Sequence, residues 1–402
     1  METVVSTRQI PVWQDRRAIA LLMAASLTTM ANATIAPALP GLERLFADDP
    51  NAALLTRLLV PAPSLSVAIL APFAGVAVDR IGRRRLLLFG VVLFVLSGSA
   101  GLALPDLPTI FASRLVLGIA VALIMTAQTA LIGDYFTGDD RNALTGLQIS
   151  ARNFGGLVFI LTAGWVATLS PRLPFAIYGL AAAFLPLMWL VIVEPPRPSQ
   201  AADARQASES DEQGGWRLLL ALLVLLQGAT NMVFFVMPTQ LSFFLDAQGY
   251  DSTMMTGSAL GVLMLSGGGL ALLYARIQRA IGCAGIFALG YGAMGLGFLV
   301  LTVAWSMPPI FVAVAAIGAG YALVSPSFVA LALELAPARK RGLAGGILTA
   351  SIFIGQFCSP FLSIPVIIAH GYAGLFCGSA LLLAAMALAA AVPAAVTRLR
   401  KP

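Results

Sequence analysis

The chain has 402 residues, of which 59% are hydrophobic and 10% are charged, whereas a soluble domain has about 45–50% apolar and about 25% charged residues. This composition excludes a water-soluble globular fold. The formal net charge is +6, but the basic residues are concentrated in alternate loops, which is typical of a membrane protein and excludes a nucleic-acid-binding surface.

Twelve apolar stretches follow one another along the chain, and each is long enough to cross a bilayer as a helix. They lie near 18–40, 55–78, 86–104, 109–132, 143–169, 175–193, 217–245, 256–278, 283–304, 309–333, 343–369 and 373–396. The longest polar insert, 194–215, is rich in proline and is predicted to be a flexible linker. The sequence therefore predicts an all-α polytopic membrane protein of twelve transmembrane helices in two six-helix halves, 1–193 and 216–402.

The distribution of Lys and Arg predicts the orientation of the chain. Of the 24 basic residues, 19 lie in the termini, the linker and the loops on the same side. Three, Arg44, Arg57 and Arg172, lie on the opposite side, and the remaining two, Arg114 and Arg152, lie inside spans. Both termini and the linker are therefore expected to be cytoplasmic, in the inner membrane of a bacterium.

The two halves repeat at a constant offset of two hundred residues. Gly118 faces Gly318, and Gly155 faces Gly355, while many apolar positions match in the same register. Such a duplication predicts two pseudo-symmetric bundles around an axis along the membrane normal.

The loop after the second span carries a run of glycine, acidic and basic residues. Its positions are Gly75, Asp79, Arg80, Gly82 and Arg83. A tight cytoplasmic turn would explain the arginines by itself, but it would not explain the aspartate. The run resembles the signature that the major facilitator superfamily carries between its second and third helices.

That resemblance implies a conformational latch. In the family the acid lies against a helix start of the opposite half and near an arginine after the fourth helix. The matching positions are the helix near Gly342 and Arg141, and a carboxylate is favourable at a helix N-terminus. The second half has Arg279 where the first has Asp79, so the latch is expected on one side only.

Two arginines lie inside spans, where a charge costs about 2.5–3.5 kcal/mol on insertion scales. Arg114 and Gly118 resemble the family's Arg-x-x-x-Gly in the fourth helix, and Arg114 is expected to face a central cavity. Arg152 lies near the bilayer midplane, one turn from Gln148 on the same helical face. Its alternative role is structural, with the guanidinium satisfied by backbone carbonyls between helices.

Other polar residues lie at cavity depth, and the resemblance implies that the first, fourth, seventh and tenth helices line the cavity. For each of them an interhelical hydrogen bond is the alternative to a substrate contact. These candidates are Thr28, Asn32, Gln128, Asn153, Gln227, Asn231, Tyr321 and Gln356.

The resemblance implies a secondary transporter that works by alternating access. Segments 34–40 and 355–360 resemble exporter-like members, although the fifth span lacks the Gly-Pro of drug antiporters. Two intramembrane arginines and no intramembrane acid favour an anionic or electron-rich substrate. The alternatives are an importer or exchanger of organic anions, a membrane-embedded enzyme and a sensor.

No enzymatic activity, cofactor or metal is expected, because no ATP-binding motif occurs and the three cysteines lack metal-ligand spacing. The expected partners are a small-molecule substrate, the lipid bilayer and a coupling proton or other ion. The chain is expected to act as a monomer.

Overall fold

The computed structural model describes residues 12–195, 216–304, 306–337 and 340–399. Within these ranges the chain is helical and contains no β-strand. Nine of the described helices are long and apolar enough to cross a membrane, and the pair Ala52–Leu59 and Ala62–Ala71 forms a tenth crossing with a bend of 54°. Pro61 and Pro63 lie at this bend, where proline removes backbone N–H donors and interrupts the helix.

Two of these helices are too long for a single crossing. Ser252–Val303 has 52 residues and Gly342–Ala391 has 50, which at 1.5 Å per residue gives about 75 Å, more than twice the thickness of a bilayer core. Each contains a glycine with non-helical backbone, Gly282 at φ 73° and Gly371 at φ 67°, a conformation that glycine adopts readily. Adding one crossing for each break gives twelve, as the sequence predicts.

The N-terminal half contains spans 1 to 6. They are span 1 (Arg16–Leu45), span 2 (Ala52–Leu59 with Ala62–Ile81), span 3 (Arg83–Ser99), span 4 (Leu107–Tyr135), span 5 (Gly138–Ala167) and span 6 (Pro174–Val191). The C-terminal half contains span 7 (Trp216–Ala247), span 8 (252–281), span 9 (283–303), span 10 (Met307–Leu335), span 11 (341–370) and span 12 (372–399).

Side-chain caps fix the starts of span 4 and span 8. The Asp106 carboxylate accepts a hydrogen bond from Thr109 N at 2.8 Å, and the Asp251 carboxylate accepts one from Thr253 N at 3.3 Å. Each cap satisfies a helix N–H that has no partner inside the helix.

The halves repeat in three dimensions at the offset that the sequence shows. Gly118 lies against the backbone of Pro63, and Gly318 lies against the backbone of Leu263, two hundred residues on. Gly90 packs on span 4 at Ala120 and Ile124 in the same way as Gly290 packs on span 10 at Gly320 and Val324. The described residues therefore form two pseudo-symmetric six-helix bundles, with glycine allowing the closest helix approaches in each.

The contacts between the two halves that the described residues show run from the middle of the spans to one end of them. Arg44 at the end of span 1 forms an ion pair with Asp246 at the end of span 7, and a Cβ on Gly164 would lie 3.0 Å from the Gly257 backbone. Toward the other side, a Cβ on Gly75, Gly146, or Gly345 would meet no atom within 4 Å. Spans 2, 5, 8 and 11 are therefore less closely packed at their ends on the side predicted to be cytoplasmic, and we call the space between these ends the central cavity.

Candidate substrate site and cytoplasmic latch

Arg152 lies at the closed end of the central cavity. It is residue 15 of the 30 in span 5, and the next residue, Asn153, lies within 3.0 Å of a Cβ built on Gly268 in the opposite half. Two turns toward the side predicted to be cytoplasmic, a Cβ built on Gly146 would meet no atom within 4 Å. The arginine is therefore placed where the two halves first meet, at the middle of the bilayer.

The guanidinium of Arg152 has no protein partner in the described part of the chain. The side chain is partly buried, its Nε is buried without a hydrogen bond, and the ion pairs that the structure shows involve other residues. A buried cation without a partner is costly. Arg152 is therefore a cationic group in the middle of a span without a counter-charge among the described residues.

Span 1 packs alongside span 5 and brings further polar groups near this point. Ser26 lies against Gly155, and Thr29 lies against Gly156. Asn32, partly exposed and without a hydrogen bond to any described residue, lies higher on span 1. Because the two spans run parallel in this register, Asn32 is about 13 Å further along the membrane normal than Arg152.

The remaining polar candidates of the N-terminal half differ in whether their side chains are already hydrogen-bonded to the protein. Gln148 is partly exposed, like Arg152 one turn away, and makes no hydrogen bond within the described residues. Thr28 and Asn153 bond to carbonyls of their own helices, Ala25 O at 2.8 Å and Ile149 O at 2.9 Å. Gln128 is buried and donates to Leu21 O at 2.8 Å, so it joins span 4 to span 1.

Arg114 lies in a hydrogen-bonded environment inside the N-terminal half. Its side chain is 0% exposed, and Nη2 donates to Ala31 O at 2.8 Å and to Tyr178 Oη at 2.6 Å. Its Cζ lies 4.6 Å from the centre of the Tyr178 ring and 5.8 Å from that of Phe175. Arg114 therefore bridges spans 4, 1 and 6 inside the N-terminal half, while its Nε and Nη1 are buried without a partner among the described residues. That Arg114 faces the cavity stays a prediction.

The C-terminal half contributes a buried polar group on span 7. Asn231 accepts a hydrogen bond from Tyr321 Oη at 2.8 Å, and the Tyr321 ring stacks on Phe234 with centroids 3.8 Å apart. Gln227, one turn away, is fully buried, and both polar atoms of its carboxamide lack a partner. This group joins spans 7 and 10.

Gln356 connects the two halves at the same depth as Arg152. Its Oε1 accepts a hydrogen bond from Ser64 Oγ of span 2 at 2.7 Å. Gln356 is 8% exposed. Because this bond joins the halves where they are in contact, the carboxamide oxygen of Gln356 is already hydrogen-bonded within the protein in this conformation.

The latch residues whose contacts the structure shows interact within the N-terminal half. Gly82 ends span 2 with φ 113°, and Arg83 forms an ion pair with Asp134 at the end of span 4. Arg141 is exposed, and Gly342 has no atom within 4 Å of a Cβ position. The expected contact between Asp79 and span 11 stays a prediction, because the Asp79 side chain lies outside the described residues.

Glu194 is a residue whose position the sequence did not indicate. It was assigned to the linker, but its carboxylate accepts hydrogen bonds from Arg83 N at 2.7 Å and Arg84 N at 3.0 Å. It therefore caps span 3 and stabilises its positive end. The rest of the predicted linker, 196–215, lies outside the described residues.

Comparison with known proteins decides the family. The sequence profile of the Major Facilitator Superfamily matches residues 21–360. The chain belongs to this superfamily. It is a secondary transporter of small molecules and not an enzyme.

Individual relatives and structures agree with this assignment. Multidrug resistance protein 1 of Bacillus subtilis (strain 168) is 26% identical over 315 residues, which cover 74% of this chain and 77% of that protein. Quinolone resistance protein NorA of Staphylococcus aureus (strain Mu50 / ATCC 700699) is 27% identical over 142 residues, 35% of this chain and 37% of that protein. The crystal structure of the human organic anion transporter MFSD10 (TETRAN) is similar with a TM-score of 0.71 and 18% identity, covering 95% of this chain and 100% of that one, which shows the fold.

The transporter has an ionic cluster on its closed side that the sequence analysis did not find. One ion pair joins Arg44 to Asp246 across the halves. A second joins Arg57 to Glu43, since Arg57 Nη1 donates to Glu43 Oε2 at 2.9 Å. The Arg57 Cζ also lies 3.9 Å from the centre of the Phe243 ring in the opposite half. The loop charges located both arginines on one side, and Glu43 is only 14 residues from Arg57, but Asp246 is 202 residues from Arg44 and Phe243 belongs to the opposite half. Only the folded superfamily architecture brings them together.

Proposed function

We propose that this superfamily member is an efflux permease for a small organic anion or an electron-rich solute, and that it works by alternating access. The observation that carries the proposal is the unpartnered guanidinium of Arg152 at the closed end of the central cavity. A bound anion would supply the charge that the protein does not. An organic cation would meet repulsion in a low-dielectric site.

The acids of the chain support this substrate class. Those with described side chains occupy loops or span ends, as Asp134 and Glu334 do on the side of Arg83. None of the described acids pairs with Arg152. We infer that coupling does not use a carboxylate in the cavity and that energy comes from an ion gradient or from exchange of solutes.

Neighbouring polar groups would complete the site. Gln148, one turn from Arg152 on the open side, has a partly exposed carboxamide without a partner among the described residues, so it is suited to hydrogen-bond a solute at Arg152. Asn32 lies beyond the closed end of the cavity, so it would reach a solute only after the cavity opens to the other side. We assign Arg114 to holding span 4 against spans 1 and 6. Thr28, Asn153 and Tyr321 would contribute packing and weaker polar contacts.

The names of related proteins support export. Two curated relatives are called resistance proteins, and a structural neighbour is described as an organic anion transporter. The positive-inside distribution supports cytoplasmic termini. With that orientation the open cavity would load from the cytoplasm, and release would require the pair of Arg44 and Asp246 to separate.

The test is transport into inverted membrane vesicles that contain the protein. A panel of fluorescent or radiolabelled aromatic carboxylates and sulfonates is compared with lipophilic cations of matched size. We expect ATP-independent accumulation of one or more anions that is abolished when the ion gradient is collapsed or the exchange partner is omitted. Transport of cations alone would contradict the substrate class, and uptake only into right-side-out vesicles would contradict export.

A further inference from the structure

An apolar groove runs along the lipid-facing surface between span 3 and span 6. It has a volume of about 630 Å³ and is lined by Leu88, Phe89 and Val92 on one side and by Leu185 and Trp189 on the other. Span 6 is locally irregular here, because Tyr178–Phe184 is a 3₁₀ helix and Pro186 follows at the start of the next segment. The two helices therefore leave space that the protein does not fill.

The groove has a cationic end. Arg84 and Arg85 lie one turn before Leu88 and Phe89 on span 3, so they share the helical face that lines the groove. Arg84 Nη2 donates to Trp189 O at 2.8 Å, and its Cζ lies 4.8 Å from the centre of the Trp189 ring. Tryptophan and arginine at a span end are typical of the membrane interface.

At this end of the groove, some of the arginines have an acidic partner among the described residues and others do not. Arg83 pairs with Asp134, and the Glu194 carboxylate is bonded to the backbone N–H groups of Arg83 and Arg84. Arg85 is exposed and makes no hydrogen bond or ion pair with a described residue. The mouth of the groove thus carries at least one cation without a counter-charge.

We propose that this groove binds one anionic phospholipid of the cytoplasmic leaflet, with an acyl chain between spans 3 and 6 and its phosphate at Arg85 and Arg84. The groove extends from the span end at Arg84 to Val92, near the middle of span 3, which is the depth of one leaflet. Apart from the indole N–H of Trp189, the side chains that line the groove are apolar, which suits an acyl chain better than a peptide. Two hundred residues on, the second half has Ala284 and Gly285 in place of the two arginines, so the site exists once per molecule.

The test is native mass spectrometry of the purified full chain with phosphatidylglycerol and with phosphatidylcholine. Arg85→Gln removes the unmatched charge, and Ala182→Trp fills the groove, where Ala182 is a lining residue. Arg276→Gln is the matched control, since Arg276 is an exposed basic residue of the second half. The same preparations are checked for thermal stability, so that an unfolded variant is recognised.

We expect the wild type and Arg276→Gln to retain one phosphatidylglycerol with at least about fivefold preference over phosphatidylcholine, because one surface arginine contributes about that factor. Arg85→Gln should lose the preference, and Ala182→Trp should lose the retained lipid. Equal retention of both lipids by the wild type would contradict the role of the arginines. Undiminished retention by folded Ala182→Trp would contradict the groove as the site.

Discussion

Arg114 and Arg152 both lie inside spans, yet among the described residues only Arg114 is hydrogen-bonded to the protein. Arg114 is fully buried, and its guanidinium bonds to Ala31 and Tyr178 in neighbouring spans. Arg152 has no such partner among the described residues. A single span cannot reveal this difference, because Tyr178 comes from a helix 64 residues further along the chain.

Arg114→Ala should therefore act on stability rather than on specificity. Removing the guanidinium leaves Ala31 O without its arginine donor and costs about 1.5–3 kcal/mol. Tyr178→Phe should cost about 1 kcal/mol, since one hydroxyl is lost. The two effects should be less than additive in thermal unfolding of the detergent-purified protein. A stable Arg114→Ala protein that no longer binds anions would instead show that Arg114 takes part in substrate binding.

At the scale of the helices, the ends of spans 1, 2 and 7 form the contact that closes the side opposite the latch. Arg44 pairs with Asp246 across the halves, and Arg57 lies on Phe243. The side chains of the ion pair are 67% and 30% exposed, and a pair this exposed contributes about 0.2–1 kcal/mol. The contact is thus strong enough to bias the conformation and weak enough to open.

Asp246→Arg should open this side, because attraction becomes repulsion. A cysteine at Thr256, which is 0% exposed beside the Gly164–Gly257 contact, reports the opening in a protein whose native cysteines are replaced by serine. We expect an impermeant thiol reagent added outside to react about two- to fivefold faster than in the parent.

The double variant Arg44→Asp with Asp246→Arg should restore slow labelling, since the pair re-forms with its charges exchanged. Arg172→Gln is the control, because Arg172 bonds within the N-terminal half, to Leu104 O at 2.7 Å. If the exchanged pair labels as fast as the single variant, the ion pair does not hold the halves together.

The number and order of the helices could be predicted, whereas several of their ends and contacts could not. Hydropathy located twelve spans because each must bury its backbone in lipid. Hydropathy does not show that Gly282 and Gly371 break continuous helices, or that Glu194 folds back as a cap on span 3. Those features depend on contacts between segments that are distant in sequence.

At the scale of the whole molecule, the repeat in the sequence was the most informative signal. The contacts of Gly118 and Gly318 repeat at the predicted offset, because duplicated halves keep the same helix packing. The functional asymmetry could be predicted in part. Arg152 has Ile352 as its counterpart, but only the fold shows that the arginine lies at the closed end of the cavity.

The latch gives a prediction about the conformational equilibrium. Asp79→Asn should leave the open-cavity conformation intact and destabilise the closed one, so that transport slows while folding is unchanged. Arg141→Ala should act in the same direction, and the double variant should be less than additive because one interaction is broken twice. A cysteine at Gly345, where a side chain meets no atom within 4 Å, should label faster from the cytoplasmic side in these variants. Fully additive losses would show that Asp79 and Arg141 act independently.

Binding of an anion to purified Arg152 variants tests the central claim most directly. With an anion that the wild type transports, Arg152→Ala should weaken binding about 10- to 100-fold, since a charge-assisted contact of about 1.5–3 kcal/mol is lost. Arg152→Lys should retain part of the affinity, because the charge remains while the two-pronged geometry is lost. Arg276→Gln should bind as the wild type does. Equal affinity of folded Arg152→Ala and the wild type would contradict the account and make Arg152 a structural residue.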